Sequence, residues 1–438
     1  MGYLIIGHVS DTTARIWVRG EKKTGDAKLR YRPSSGGPWK TETTALAPHL
    51  DYAAVIPLVG LTPATGYECE VSYAKAAPAK AVRAGRFTTA PSAPGSLSFI
   101  LASCNYSKLG FLTAKNVDRA WTRIGQLADS AQAAFMIHCG DQVYADLPGV
   151  PDPDLPYYQR EYRNAWRRMA TARVLAGLPH YMMLDDHEIF DAFANDAQYV
   201  GRPAQQIRDF ALEAYRQYQH FHNPQTFPPP ALYYSFEHSG VHFFALDVRS
   251  ERWAKEENDP QMIGVVQMRE FKDWLAAHAA EPKFVVTSVP FVCEVRDKGD
   301  KWCGDQFAPQ RGEIIGFLAE NGIGRLCFLT GDLHCSCHAE MRVTPAAGPA
   351  LTVHELMSSP INQATSGIHS FVDRPERTTA GGARYATLPL DLAQFYGEHS
   401  NVMTLLFDRA AGRLDWRLYR TKDDAMPPVP VRAGSFAL

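Results

Sequence analysis

The sequence predicts an α/β body preceded by a small all-β module. Three observations carry this. From residue 97 onward, apolar runs that end in polar residues alternate with stretches whose apolar residues recur every three to four positions. Residues 1–90 instead hold short runs with period-2 alternation, punctuated by turns. Between the two lies APSAPGS at 90–96, with the composition of a connector. The expected division is an all-β domain at 1–90, a linker at 91–96 and a catalytic domain at 97–438.

In the module, Ala14, Ile16 and Val18 alternate with Thr13, Arg15 and Arg19, the pattern of a half-buried strand. LTPATGYECEVSY places a turn before a tyrosine that opens a strand, much like the tyrosine corner of β-sandwiches, and the module resembles a fibronectin-type-III domain. In the body, LSFILASCN, AAFMIHCGD, HYMMLDDHE, HFFALDVRS, KFVVTSVPF and RLCFLTGDLH read as strands covered on both faces. NVDRAWTRIGQLADSAQ, YYQREYRNAWRRMATARVL, PAQQIRDFALEAYRQYQHF and PQRGEIIGFLAENG read as helices between them. The Pro-rich stretches 148–156 and 223–230 read as surface loops able to frame a cleft. VMTLLFDRAAGRLDWRLY reads as a hairpin closing the sheet, followed by a Pro-rich tail.

Forty-five Lys plus Arg against 47 Asp plus Glu leave a formal charge of −2, so no global field favours nucleic acid or an anionic membrane. No apolar run reaches the roughly 18 residues of a transmembrane span. The opening MGYLIIGHVS lacks a signal peptide's charged region and long apolar stretch, giving a cytoplasmic expectation, with the mature form of an exported protein as the alternative. Eight cysteines in 438 residues are too dilute for a disulfide scaffold. Cys293 and Cys303 are the one pair to test for a bridge; Cys139 and Cys327 read as core thiols.

Ligands bind at the carboxyl ends of strands in open α/β sheets. Here those ends carry Cys104, then Asp141 and Tyr144, then Asp186 and His187, then Asp332 and His334. Alone, each carboxylate reads as a helix cap or turn former. Together, anions delivered to one edge need cations to neutralise them.

The ordered motifs GDQVY, DDHE and GDLH resemble those of the calcineurin-like metallophosphatases. The Ser103-Cys104 pair, standing where other branches carry Asp-x-His, is similar to the PhoD-like (alkaline phosphatase D) branch. The resemblance covers roughly residues 97–360, and the β module resembles that branch's N-terminal domain. It implies a four-layer sandwich of central mixed β-sheets flanked by helices. It also implies a phosphoester hydrolase, a phosphodiesterase, an alkaline phosphomonoesterase or both, with a binuclear centre and a metal-activated hydroxide.

Carried over residue by residue, the resemblance makes Asp141 the carboxylate shared by two metals. Cys104, Tyr144 and His334 complete the first site; Asp186 and Asp332 complete the second. The donor types agree: thiolate, phenolate, imidazole and carboxylate suit Fe³⁺, while a carboxylate-only site selects a hard cation, Ca²⁺ before Mn²⁺ or Mg²⁺. Zn²⁺ is a further possible substitute, though carboxylates in the second site argue against it there. His187 is the expected general acid, with a structural histidine as the plain alternative. Asn105 either hydrogen-bonds the phosphate or caps its turn. Asp185 and Glu188 are expected to orient their neighbours, and Asp191 to serve the second metal or cap a helix.

His334, Cys335, Cys337 and His338 could form a separate zinc site, but four ligands within five residues strain a tetrahedron. Arg160, Arg163, Arg167 and Arg168 could hold an anionic substrate, although a solvated helix face is commoner. The expected partner is a small-molecule phosphoester, with no specific nucleic acid and no obligatory protein partner. Two other readings stand beside the hydrolase: a binding protein whose metal cluster only stabilises the fold, and a nuclease or phospholipase on the same scaffold. The absence of a basic, aromatic-interleaved groove argues against a nuclease.

Overall fold

The computed structural model describes residues 3–21, 25–73, 82–108, 110–147, 149, 153–296, 299–423 and 425–438, with backbone alone for 82 and 110–115. Part of the 148–156 loop lies outside these residues.

The N-terminal module is built from two antiparallel sheets. One pairs Tyr3–Val9, Thr13–Arg19 and Ala53–Val59; the other pairs Lys40–Ala45, Asp26–Pro33, Gly66–Tyr73 and Val82–Thr88. Leu4, Ile6, Ile16 and Val18 face Leu29, Tyr31, Cys69 and Val71 across the sandwich. The Tyr67 hydroxyl accepts from the backbone N–H of Thr62 at 2.9 Å, which is the tyrosine-corner contact that the sequence foreshadows.

The first sheet is covered on its other face too. Ile5, Trp17 and Ala53 pack into a core shared with the body, where Trp17 donates from Nε1 to Gln217 O at 2.7 Å. Asp51 accepts from Arg19 Nε and Nη2, each at 3.0 Å, and is also bound by Arg163 and Tyr218. The module is docked by apolar burial and by a buried ion pair, not merely tethered by the 90–96 segment.

The body has two large mixed sheets. In the first, Leu97–Ala102, Met136–His138 and His180–Met182 run parallel. Beside Leu97–Ala102 the hairpin Asn401–Asp408 and Arg413–Arg420 continues the sheet antiparallel. The C-terminal tail adds a strand, Arg432–Ala437, that the sequence reading left as a Pro-rich extension. In the second, Val241–Ala245, Lys283–Val286, Leu326–Thr330 and Leu351–Met357 run parallel, flanked by antiparallel Tyr234–His238 and Ser336–Thr344.

Six α-helices lie among the described residues: α1 Gly110–Ser130, α2 Leu155–Trp166, α3 Met169–Leu175, α4 Gln205–Tyr218, α5 Val265–Ala277 and α6 Ala308–Glu320. The stretch 157–175 is therefore two helices, not one. Arg168 turns extended between them (ψ 139°) and grips Asp118 through two hydrogen bonds, at 2.9 and 2.6 Å.

Period 2 along the central strands explains the layering. Phe99 and Leu101 point into the core between the sheets with Phe243, Phe284 and Leu329, while Ile100 and Ala102 face helices α1, α2 and α4. On the far side, Phe244, Val285 and Phe328 meet α5 and α6. The result is helix, sheet, sheet, helix. All eight cysteines are free thiols. Cys293 and Cys303 are not bridged: Cys293 Sγ faces Cys337 Sγ at 3.9 Å, and Cys303 Sγ accepts from Val295 N–H at 3.4 Å.

Candidate metal centre

Cys104, Asp141, Asp186, His187, Asp332 and His334 sit just past the carboxyl ends of parallel strands, where the chain turns sharply. Cys104, Asp141, Asp332 and His334 have φ of 58°, 57°, 67° and 55°, a left-handed conformation that non-glycine residues adopt at a cost. Glycine makes two of these turns passable. A Cβ on Gly140 would lie 2.2 Å from Asp185 Cβ, and one on Gly331 would lie 2.3 Å from Ser103 Oγ. The GD pairs thus bring four strand ends into contact.

The first group is tight. Asp141 Oδ2 lies 3.4 Å from Cys104 Sγ and 3.3 Å from Tyr144 Oη, and Tyr144 Oη lies 3.2 Å from His334 Nε2. Cys104, Asp141 and Tyr144 are almost fully buried. Burial, reinforced by Asp141, raises the Cys104 thiol well above its ordinary value, and burial with Cys104 and Asp141 does the same to Tyr144. Asp141 is itself raised by burial and by neighbouring carboxylates, despite His187. Each of these donors resists ionising without a cation among them.

The second group differs. Asp186 and Asp332 cluster with Asp185, and two buried cations already lie against them. Arg249 Nε donates to Asp185 Oδ1 at 2.6 Å, and its Nη2 lies 3.6 Å from Asp186 and 4.0 Å from Asp332. Lys301 Nζ bridges Asp332 at 2.5 Å and Asp300 at 2.6 Å. Burial opposes ionisation of Asp186, but Arg249, His187 and Lys301 hold its carboxyl well below the usual range.

Linking the groups, the His187 backbone N–H donates to Asp141 Oδ1 at 3.3 Å and to Asp186 Oδ1 at 3.0 Å. The His187 ring lies on that of Tyr144, centroids 4.1 Å apart, with Nδ1 held by Asp146 at 2.8 and 3.0 Å. Burial disfavours its charge, yet Asp141, Asp186 and Asp146 raise it to about 11. Glu188 clamps the turn beneath, accepting from the N–H groups of Asp141 (3.0 Å), Gln142 (2.7 Å) and Asp185 (2.9 Å). That is the orienting work expected of Glu188, and Asp185 shares it through Arg249 and Ser288.

Asn105 is fully buried. Its Oδ1 accepts from Trp121 Nε1 at 3.3 Å, while Nδ2 has no protein partner. Asp191 is exposed at the rim of the cleft, its N–H bonded to Asp146, and it caps no helix. Three of the arginines at 160–168 are engaged elsewhere: Arg160 of α2 over the Tyr157 ring, Arg163 of α2 with Asp51, and Arg168 between α2 and α3 with Asp118. HCSCH splits by strand alternation. His334 enters the site and Cys335 and Cys337 enter the core under α5 and α6, so the four form no common site.

A cleft of about 550 Å³ opens on both groups. It is also lined by residues the sequence reading missed: Asp300, Lys301 and Arg252. Arg252 is 1% exposed, with Nε and Nη1 unpartnered and its guanidinium over the Phe307 ring, and burial beside Arg249 lowers it to about 10. Arg249 and Arg252 end the run HFFALDVRSERW, and cations following an apolar strand were the available signal. Asp146 and the Asp300-Lys301 pair gave none, because they come from loops.

The structure resembles that described as "Structure of PhoD" (TM-score 0.78, 15% identity, covering 99% of this chain and 90% of that one). It also resembles purple acid phosphatase PPD1 from yellow lupin (Lupinus luteus) seeds (TM-score 0.63, 10% identity, covering 99% and 74%). No curated protein sequence matches the chain. The model of the family described as PhoD-like phosphatase matches residues 99–405. With that match spanning most of the sequence, the chain belongs to the PhoD-like phosphatase family.

Proposed function

We propose that this protein is a metal-dependent phosphoester hydrolase whose centre holds two cations sharing Asp141. The observation that carries the reading is the convergence of Cys104, Asp141, Tyr144 and His334, with Cys104, Asp141 and His334 held in left-handed backbone at strand ends. The donor set fits a metal: a buried thiol, phenol and carboxylate in mutual contact find no compensating cation among themselves. Thiolate, phenolate, imidazole and carboxylate together suit Fe³⁺. Asp186 and Asp332, sharing Asp141, offer only carboxylate oxygens and suit a hard cation such as Ca²⁺, with Mn²⁺ or Mg²⁺ as substitutes. Lys301 and Arg249 now neutralise these carboxylates, so a cation held there would compete with both side chains.

When bound, the cations supply an activated nucleophile and offset negative charge on the phosphoryl oxygens. The protein supplies the rest. His187, oriented by Asp146 through Nδ1, presents Nε2 to protonate the leaving alkoxide. Asn105 Nδ2 and the Nε and Nη1 of Arg252, all buried and without protein partners, hold phosphoryl oxygens. Cys104 and Tyr144 exclude water around Asp141 from the interior side.

The test is hydrolysis of nitrophenyl phosphate and bis-nitrophenyl phosphate, with and without chelator. Chelator-sensitive turnover of either ester is expected. Metal-dependent stability without turnover of either would instead favour a binding protein.

A further inference from the structure

The strand pair Ser336–Thr344 and Leu351–Met357 carries a second cluster of metal-ligating side chains outside the cleft. His338 and Glu340 lie two apart on one face, and the antiparallel register sets Glu340 opposite His354. His338 Nε2 is 3.1 Å from His354 Nδ1, and Glu340 Oε1 lies 3.7 Å from the first and 3.5 Å from the second. Ligands of a tetrahedral ion with bonds of about 2.0–2.1 Å stand about 3.3 Å apart. The three edges bracket that spacing, so one point can lie at bonding distance from all three atoms.

Two further features suit a metal. Gln394 Oε1 accepts from His338 Nδ1 at 2.6 Å, which leaves Nε2 with a lone pair facing the other two donors. Both rings are stacked on Phe436 of the C-terminal strand, with centroids 4.6 and 3.9 Å away, fixing their planes. The Glu340 side chain is 36% exposed, giving an ion a route in and a solvent-facing fourth position.

We propose that His338, Glu340 and His354 form a divalent transition-metal site for Zn²⁺, separate from the catalytic centre and pinning the C-terminal strand against the second sheet. The competing description is a plain hydrogen bond between two histidines, with Glu340 a bystander.

Elemental analysis after equilibration with Zn²⁺ and desalting distinguishes them. Wild type is expected to retain one zinc equivalent more than His354→Ala, with nitrophenyl ester turnover equal in the two. Co²⁺ loading is expected to give tetrahedral d–d absorption that the variant lacks. Gln394→Ala leaves all three ligands in place, so it remains informative if His354→Ala folds poorly. It should weaken zinc retention about 10–100-fold. Equal zinc content in wild type and both variants, or a Co²⁺ spectrum indifferent to His354, would overturn the site. These readouts do not depend on phosphoester turnover, so the proposed hydrolase activity can fail while this site stands, and the reverse.

Discussion

The two halves of the cleft solve the same electrostatic problem differently. Around Cys104, Tyr144 and His334 the protein places buried, ionisable donors against Asp141, and the cation it sets beside them is His187, whose ring is held by Asp146. Around Asp186 and Asp332 it supplies Arg249 and Lys301, both buried, alongside a further carboxylate, Asp300. Buried charge is costly unless compensated. On the proposed two-cation reading, the first half relies on an imported ion, whereas an ion in the second half would compete with side chains already paired there. The halves should accordingly differ in affinity, with the first ion held more firmly and the second exchangeable.

The largest break comes at the residue the halves share. Asp141→Asn should reduce turnover to background and lose both metals together by elemental analysis; retention of both ions would dissolve the idea of a shared ligand. If iron occupies the first half, its tyrosinate ligand should give a visible charge-transfer band that disappears in Tyr144→Phe. A colourless, iron-free and fully active preparation would refute iron there.

His187→Ala removes the proton donor without touching a proposed ligand side chain. Turnover should fall about 10²–10⁴-fold while metal content stays constant. An unchanged rate would return His187 to a structural role beside Asp146.

Arg252→Gln should raise KM for a phosphoester by roughly 10–100-fold, the worth of a hydrogen bond to a charged group, with smaller change in kcat. An unaltered KM would mean that its orphaned N–H groups never meet substrate. Lys301→Gln sharpens the comparison most directly. Removing the ammonium from Asp332 and Asp300 should tighten the second cation roughly tenfold, read as the Ca²⁺ concentration for half-maximal turnover. Weaker binding would show that Lys301 supports the site rather than competing for it.

The smallest effect lies outside both halves and shows in stability alone. Asp51 is held by Arg19, Arg163 and Tyr218, which outweigh its burial and lower its carboxyl. Its contribution is therefore complete above the unfolded value of about 3.9 and is lost as pH falls through the lowered folded value. Asp51→Asn tolerates the left-handed backbone at this position but leaves the buried Arg19 charge without its anionic partner. It should cost about 3 kcal/mol in denaturant melts near neutral pH, less in acid, without changing turnover.

Much of this molecule was legible in linear order. Apolar runs that end in Cys, Asp or His located the central strands and thereby placed Cys104, Asp141, Asp186, Asp332 and His334 on one edge, because a parallel strand delivers its next residues to the same side. The turn before Tyr67 gave the tyrosine corner in the same way, through contacts five residues apart. Helix α5 escaped notice, and 157–175 read as one helix, because local periodicity does not register that Arg168 must extend to reach Asp118.

What the sequence determined by itself was the set of donors, since each depends only on its own strand and turn. What tertiary structure alone decided was their compensation. Arg249, Lys301 and Asp300 come from other strands and loops, His187 is oriented by Asp146 from a neighbouring turn, and His338 finds its partner across a strand pair rather than within HCSCH. Coulomb energy depends on distance in space, and spacing along the chain carries no record of it.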